Sequence, residues 1–117
     1  MRDFRERTFQ FGIRCARLVE SLPKSMYSQT IGRQLLRAGT SVGANYRAAI
    51  RGQSRGDFVS RMGIVEEEWD EALYWIEVLV ELGMTSSKRV EQLEVEPNEI
   101  IAITVSSIKT ARKGPRK

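Results

Sequence analysis

The first 22 residues carry apolar side chains at three- and four-residue steps, the spacing that places residues on one face of an α-helix. Asp3 followed by Glu6 is typical of a capping box at a helix start. Pro23 cannot continue a helix. We therefore predict a first helix from Asp3 to the residues before Pro23. Its main apolar stripe is predicted to be Phe9, Ile13, Ala16 and Val19, flanked by Phe11, Cys15, Leu18 and Leu22.

The most regular pattern lies between residues 54 and 83. Ser54 and Asp57 form a second capping-box pattern. Gly83 is typical of the left-handed residue that ends a helix. Between them, apolar residues follow in nearly strict alternation of four- and three-residue steps, which predicts a long helix buried along one stripe. These residues are Phe58, Met62, Val65, Trp69, Ala72, Ile76 and Val78–Leu79, with Leu73 and Val80 widening the stripe.

The stretch between these helices, "RAGTSVGANYRAAIRG", is open to two interpretations. Its glycines could form a loop that binds a phosphate, but no strand precedes it and the Lys-Ser/Thr ending of a nucleotide-binding loop is missing. It contains no proline, and one helical stripe continues through it. We therefore predict a second helix from Ser25 or Ser28 to about Gly52. Its stripe is Ile31, Leu35, Ala38, Val42, Asn45 or Tyr46, and Ala49.

Glycines inside a helix cost roughly 1 kcal/mol each relative to alanine, so Gly39 and Gly43 suggest that a neighbouring helix or subunit comes close. The bulky partners expected for this thin face are Trp69 and Trp75. Ser41 and Asn45 share a face at this point. They are expected either to hydrogen-bond across a helix interface or to satisfy the backbone of their own helix.

The remaining pattern completes an all-α protein, because alternating strand patterns and hairpin turns are missing from the sequence. A short helix is predicted at Lys88–Val95 and a last helix after Glu96–Pro97, with Ile100, Ile101, Val105 and Ile108 on its apolar face. The predicted fold is an antiparallel up-down-up-down four-helix bundle over residues 1–108. Residues 109–117 are predicted to be a frayed basic tail.

The composition of the 117 residues excludes several kinds of chemistry. There is no histidine, which rules out His-based triads and His-bearing metal sites within the chain. The single cysteine, Cys15, lies in an apolar pattern and is expected to be a buried, inert thiol in a cytoplasmic protein. No apolar run is long enough to span a membrane. A carboxylate metal site in "EEEWDE" would lack the usual histidines, so a solvated or salt-bridged face is favoured. We expect no enzyme, cofactor or metal.

Charge divides the chain into two halves. Residues 1–61 carry twelve Lys/Arg against four Asp/Glu, and residues 62–108 carry two against eleven. A chain of this kind can pair with itself, within the bundle or between copies. Arg33 and Arg37 are predicted to face the acidic side of the third helix, near Asp70 and Glu71. The residues predicted for this helix-packing or oligomer interface are Arg33, Arg37, Ser41, Asn45, Glu67 and Glu71.

Other basic residues lie too far from these acids to pair with them. Fourteen of the nineteen cations are arginine, which suits bidentate contacts to phosphate. A solvated arginine face is the alternative to a nucleic-acid surface. The predicted nucleic-acid contacts are Arg47, Arg51, Arg55, Lys109, Arg112, Lys113, Arg116 and Lys117.

Two segments of the chain resemble a known family. "QLLRAGTSVGANYRAA" followed by "SRGDFVSRMGIVEEEWDEALYWIEVLVELG" is similar to bacterial four-helix bundle proteins encoded in intervening sequences of 23S ribosomal RNA genes. The resemblance is carried by the arginine and alanine before a Ser-Val pair, an asparagine four residues after the serine, and a phenylalanine opening the third helix. Many members follow that asparagine with Ile-Ala-Glu-Gly, where this chain has "YRAA".

The resemblance implies a homo-oligomer, typically a pentameric ring, with no known enzymatic activity. Related ring proteins accompany the reverse transcriptases of diversity-generating retroelements, where a basic surface engages nucleic acid and the enzyme. We therefore expect a non-enzymatic cytoplasmic oligomer that binds RNA, DNA or a ribosomal or reverse-transcriptase protein, and no membrane. The alternative is a purely structural protein-protein oligomer with no nucleic-acid role.

Overall fold

The protein is an all-α helical bundle, as the sequence predicts. The structure is a computed structural model that describes residues 2–90, with side chains from Phe4 onward. Its helices are α1 at Arg2–Ser21, α2 at Met26–Ile50 and α3 at Arg55–Glu81, and helical backbone resumes at residues 87–90. The predicted last helix and the basic tail lie outside the described residues.

The helix starts follow the predicted capping residues in two of three cases. Ser25 caps α2 and exchanges hydrogen bonds with Ser28, so the two candidate start residues are the two halves of one capping box. Ser54 caps α3 by accepting from the backbone N–H of Asp57. A first helix ending before Pro23 is confirmed, but the predicted capping role of Asp3 is wrong, because α1 already begins at Arg2 and Asp3 lies inside it.

The end of α3 lies where Gly83 predicts it. Gly83 has a φ of 75°, the left-handed conformation that glycine adopts without steric cost. Its N–H donates to the carbonyl of Val80, and the N–H of Met84 donates to the carbonyl of Leu79. These two bonds form a Schellman motif, which satisfies carbonyls left free at the helix end. Ser86 then accepts from the backbone N–H of Arg89 as the next helical segment begins.

The stretch "RAGTSVGANYRAAIRG" is helical as far as Ile50, and α2 packs against both α1 and α3. Its glycines let α1 approach closely. A Cβ at Gly39 would lie 2.7 Å from the Cys15 sulfur, and one at Gly43 would lie 3.3 Å from the Thr8 carbonyl. The expectation that this thin face packs against Trp69 and Trp75 is therefore wrong, because those residues lie on α3.

The core is built around Trp69, which reaches from α3 to α1. Its ring stacks on that of Phe11 with centroids 4.7 Å apart. The ring centroid of Phe4 lies 6.4 Å from that of Trp69. Phe4 also meets the edge of Tyr46 on α2, so Tyr46 is the buried residue of the predicted Asn45-or-Tyr46 choice. The predicted stripe of α3 is confirmed: Met62, Val65, Trp69, Ala72, Ile76 and Leu79 are all buried.

The predicted main stripe of α1 is wrong. The side chains that enter the core are the flanking set, namely Phe11, Cys15, Leu18 and Leu22, together with Phe4. Phe9 is 46% exposed and Ile13 is only half-buried. Helix α1 therefore carries two apolar stripes, one facing the core and the other turned toward α2, in which Phe9 is exposed while Val19 still packs against the edge of the core.

Candidate nucleic-acid interface

An open groove of about 380 Å³ runs along the outer side of the α1–α2 pair. Arg47 and Arg51 flank it from the last turns of α2, and Arg5 flanks it from the first turn of α1. The antiparallel packing of the two helices brings these positions to the same end of the bundle. The groove thus collects two of the predicted phosphate contacts and adds Arg5, which the sequence analysis does not include.

The three guanidinium groups at this end are not neutralised by the protein. Within residues 4–90, the side chains of Arg5, Arg47 and Arg51 form no ion pair and no hydrogen bond. Among the described residues that line the groove, none is acidic. Arg47 and Arg51 are four residues apart on one helix, where like charges repel by a few tenths of a kcal/mol. The groove is therefore a concentrated patch of uncompensated positive charge.

The floor of the groove is apolar and shallow. Phe9 and Ile13 of the outer α1 stripe line it, opposite Thr40 and Ala44 of α2. Gly12 also lines the groove, at a point where the two helices are in close contact, since an added Cβ would lie 3.2 Å from the Gly39 carbonyl oxygen. The combination of an exposed aromatic ring with arginines on both sides is a suitable surface for a phosphate-bearing ligand with flat apolar parts.

The other predicted nucleic-acid contacts do not extend this groove. Arg55 opens α3 and is exposed, but it does not line the groove. Arg61, four residues after Asp57 on the same helix, is paired with that carboxylate at 3.2 Å. The five basic residues predicted in the tail lie outside the described residues.

The second predicted set, at the α2–α3 interface, centres on Arg37. Its guanidinium donates to Glu68 at 3.1 Å and also to Glu71. Glu71 in turn accepts from the indole N–H of Trp75 at 3.1 Å. The hydrogen bond from Arg37, assisted by that from Trp75, lowers the pKa of the Glu71 carboxyl, and the same carboxyl raises the pKa of Arg37. The pair joins the basic and acidic halves of the chain within one molecule.

Two residues predicted for that interface lie elsewhere. Glu67 is exposed, and Glu68 occupies the position beside Arg37. One residue is about 100° of helix rotation, so Glu68 and Glu71 share the flank that faces α2 while Glu67 points away from it. Arg33 is exposed and makes no ion pair within the described part of the chain.

Ser41 and Asn45 satisfy the backbone of their own helix. The Ser41 hydroxyl donates to the carbonyl of Arg37 at 2.6 Å, and the Asn45 amide donates to the carbonyl of Ser41 at 2.8 Å. Of the two alternatives for this pair, the structure shows the local one.

The described residues offer little for bond-making chemistry. Burial raises the pKa of the Cys15 thiol to about 12, so it stays protonated and unreactive near neutral pH. Across residues 4–90, no group of three or more acidic or cysteine side chains is placed to hold a metal ion. None of the described helices combines the length and apolar character needed to cross a bilayer.

Comparison with known proteins agrees with the geometry of the bundle. Residues 3–106 match the family described as 23S rRNA-intervening sequence protein. A crystal structure of a protein of unknown function from the S23 ribosomal protein family of Bacteroides thetaiotaomicron is 31% identical, with a TM-score of 0.82. That alignment covers 92% of this chain and 99% of the other. No curated protein sequence matches the chain significantly.

Proposed function

Because the chain belongs to the 23S rRNA-intervening sequence protein family, we propose that it is a non-enzymatic oligomer that binds RNA or a ribonucleoprotein through a basic surface. The observation that supports this most directly is the set of three unpaired arginines around the α1–α2 groove. Arg37 and Arg61 have acidic partners, whereas Arg33 is exposed without an ion pair in the described chain but stands apart from the groove. The charge at the groove has no acidic partner in the described chain, so its natural counterpart is an external polyanion.

The test is a titration of fluorescent RNA at two salt concentrations. Binding through phosphate releases counterions, so affinity should fall steeply with salt, by a log–log slope of roughly −0.7 per phosphate contacted on a single strand. Replacing both Arg47 and Arg51 by alanine should weaken binding and reduce that slope by about 1.4. Arg33→Ala is the matched control, because Arg33 is also exposed on α2 but lies fourteen residues, about 21 Å, from Arg47.

Two results would contradict the proposal. One is the lack of any RNA binding at low salt. The other is equal weakening by Arg33→Ala and by a single Arg47→Ala, which would mean that total charge and not the groove controls binding.

The second candidate function is a purely structural oligomer whose partner is protein. It is favoured by large apolar side chains exposed on the first half of α2, where Met26 is 80% exposed and Tyr27 and Leu36 are also exposed. Tyr74 is exposed on the acidic face of α3. A basic, apolar patch on one copy meeting this face on the next would give a head-to-tail contact, which closes into a ring or grows into a filament.

The mass in solution, measured by light scattering together with RNA binding, distinguishes the RNA-binding oligomer from the purely structural one. We expect a closed oligomer, with five subunits as the first hypothesis, and expect Leu36→Glu to reduce its mass while leaving the helical content unchanged. A monomer at working concentration would exclude the ring. An intact oligomer that binds no RNA would favour the purely structural function. In either case the proposal places the protein in the bacterial cytoplasm, with a ribosomal or reverse-transcriptase protein as the expected protein partner.

A further inference from the structure

We propose that the α1–α2 groove is a site for single-stranded RNA, with one base stacked on Phe9 and the neighbouring phosphates held by Arg5, Arg47 and Arg51. The inference rests on the proposed RNA-binding function and narrows it to single-stranded RNA and to base stacking on Phe9. Its starting point is the exposed aromatic ring at the centre of the basic patch.

Phe9 is not part of the core. Phe4 and Phe11, on the same helix, are at most 2% exposed, while Phe9 is 46% exposed. Phe9 and Phe11 are two residues apart, so a helix places them on different faces and only one can point inward. The packing of α1 therefore leaves one large aromatic ring on the surface with part of its area free for a ligand.

The charges lie at helical spacing from this ring. Arg5 is four residues before Phe9 and so lies beside it on the same helix face. Arg47 and Arg51 repeat the four-residue step on α2, and Gly43 lies opposite Phe9, close enough that an added Cβ would meet the Phe9 nitrogen at 3.4 Å. Cations thus flank the ring from both helices, with no bulky side chain at Gly43 between them.

This arrangement suits a single strand better than a duplex. In an RNA double helix the bases are stacked on each other, and a protein meets mainly phosphates and ribose hydroxyls. An unpaired strand can turn a base onto an aromatic ring while its backbone follows the positive charge. The groove volume of about 380 Å³ is at the small end of the roughly 300–1,000 Å³ found for ligand pockets, which limits it to a short part of a strand.

The charge of the groove favours RNA over a second copy of the chain. In the part of the chain that the structure describes, each ionisable group lining it is an arginine, and its large exposed apolar side chain is Phe9. A protein helix would need a longer apolar ridge to bind there. Exposed apolar residues outside the groove are better placed for contacts between subunits, namely Met26 and Tyr27 at the other end of α2 and Leu36 nearer its middle.

The test compares a fluorescent single-stranded oligonucleotide with an RNA duplex of equal length, measured by anisotropy at low salt. Phe9→Ala should weaken binding of the single strand by about 5- to 100-fold, the usual loss when a stacked base loses its aromatic partner. Binding of the duplex should change less than twofold. Phe9→Trp should retain or improve the single-strand affinity, and Tyr74→Ala, which removes an exposed aromatic from α3, should have no effect.

A second measurement alters the RNA and compares the result with that of Phe9→Ala. An oligonucleotide with abasic sites should bind the unaltered protein as weakly as the normal strand binds Phe9→Ala, and should lose little further affinity to that variant. Circular dichroism and light scattering of Phe9→Ala check that helix content and mass are unchanged.

The outcomes separate this inference from the broader proposal. If the double replacement of Arg47 and Arg51 weakens binding but Phe9→Ala does not, the groove binds charge alone and base stacking is excluded. If Phe9→Ala reduces the oligomer mass and leaves RNA binding intact, the groove is covered by another subunit and the inference is wrong. If the unaltered protein binds no RNA at all, the proposed function fails together with it.

Discussion

Replacing Gly39 by alanine should test the close contact between α1 and α2. An added Cβ would lie 2.7 Å from the sulfur of Cys15 and 2.8 Å from its Cβ. Carbon atoms in good contact are about 3.5–4.0 Å apart, so both distances are far too short. The sulfur could rotate away, but the Cys15 Cβ is fixed to its backbone. Relief therefore requires α1 to move away from α2.

The magnitude follows from two opposing terms. Alanine is favoured over glycine inside a helix by about 1 kcal/mol, while inserting an extra methyl into a packed interior typically costs about 1–3 kcal/mol. Gly63 is a matched control, because it also lies inside a helix but an added Cβ there meets nothing within 4 Å. Gly63→Ala should stabilise the protein by about 1 kcal/mol. The two variants should differ by about 1–3 kcal/mol, since the helix-propensity term cancels between them.

The assay is urea denaturation followed by far-ultraviolet circular dichroism, at one protein concentration because oligomerisation adds to stability. The midpoint should rise for Gly63→Ala and fall, or rise less, for Gly39→Ala, with similar m-values. If Gly39→Ala is as stable as Gly63→Ala, the two helices are not in the contact described and the glycine has another role.

Three further predictions concern single side chains and use the same denaturation assay or chemical labelling. Trp69→Phe should cost far less than Trp69→Ala, which should cost about 3–5 kcal/mol, because the buried indole N–H has no acceptor among the described residues; similar losses for both would contradict this. Glu71→Gln should weaken the protein slightly at pH 7 and progressively less as the pH falls below the usual range of a carboxyl, since a carboxylate with a lowered pKa stabilises the fold above that range and loses the effect as it is protonated; a loss that does not change with pH would exclude the link to Arg37. Cys15 should resist alkylation at pH 8 until the protein is unfolded, because burial raises its pKa to about 12; rapid labelling of the folded protein would show that the thiol is accessible.

The sequence was sufficient to predict the helices and most of the core because their signals are local. Ser25 and Ser54 cap helices through bonds to residues three positions away, and Gly83 ends one through its own backbone conformation. The α3 stripe has a single dominant face, so periodicity alone identifies its buried side chains. The capping role predicted for Asp3 is wrong because the residue types of a capping box also occur within the first turn of a helix, where Asp3 lies.

Local signals do not predict which face of α1 is buried or which helix packs against the thin face of α2. Helix α1 has two apolar stripes, and which of them enters the core depends on how closely α2 approaches. That approach depends on Gly39 and Gly43, whose lack of side chains marks a thin face without identifying its partner. The expected partner was a tryptophan of α3, whereas the observed partner is α1. The misassignment of Phe9 follows from the same missing information.

The candidate site likewise combines residues that local sequence signals predict with residues that only the packing of the helices brings in. Arg47 and Arg51 were identified because both lie near the α2–α3 turn, away from the acidic cluster, and that conclusion needs only chain order. Arg5 and Phe9 join them through the packing of α1 against α2, which sequence spacing does not specify. The four-residue step between Arg5 and Phe9 was the available signal, and it becomes informative only once Phe9 is known to be outside the core.

The arginines of this bundle differ in whether a carboxylate within the described chain neutralises them. Arg37 and Arg61 have carboxylates within hydrogen-bonding distance, so their charge contributes to the fold. Arg47 and Arg51 repel each other at a four-residue spacing, and the described chain brings no acid to them although the acidic residues of α3 are abundant. The helix dipole favours a cation such as Arg47 in the last turn of α2, but that effect does not require several arginines side by side. This cluster of cations, which the described residues leave without partners, is the observation behind the proposed RNA site, and an anionic strand would remove the repulsion as it binds.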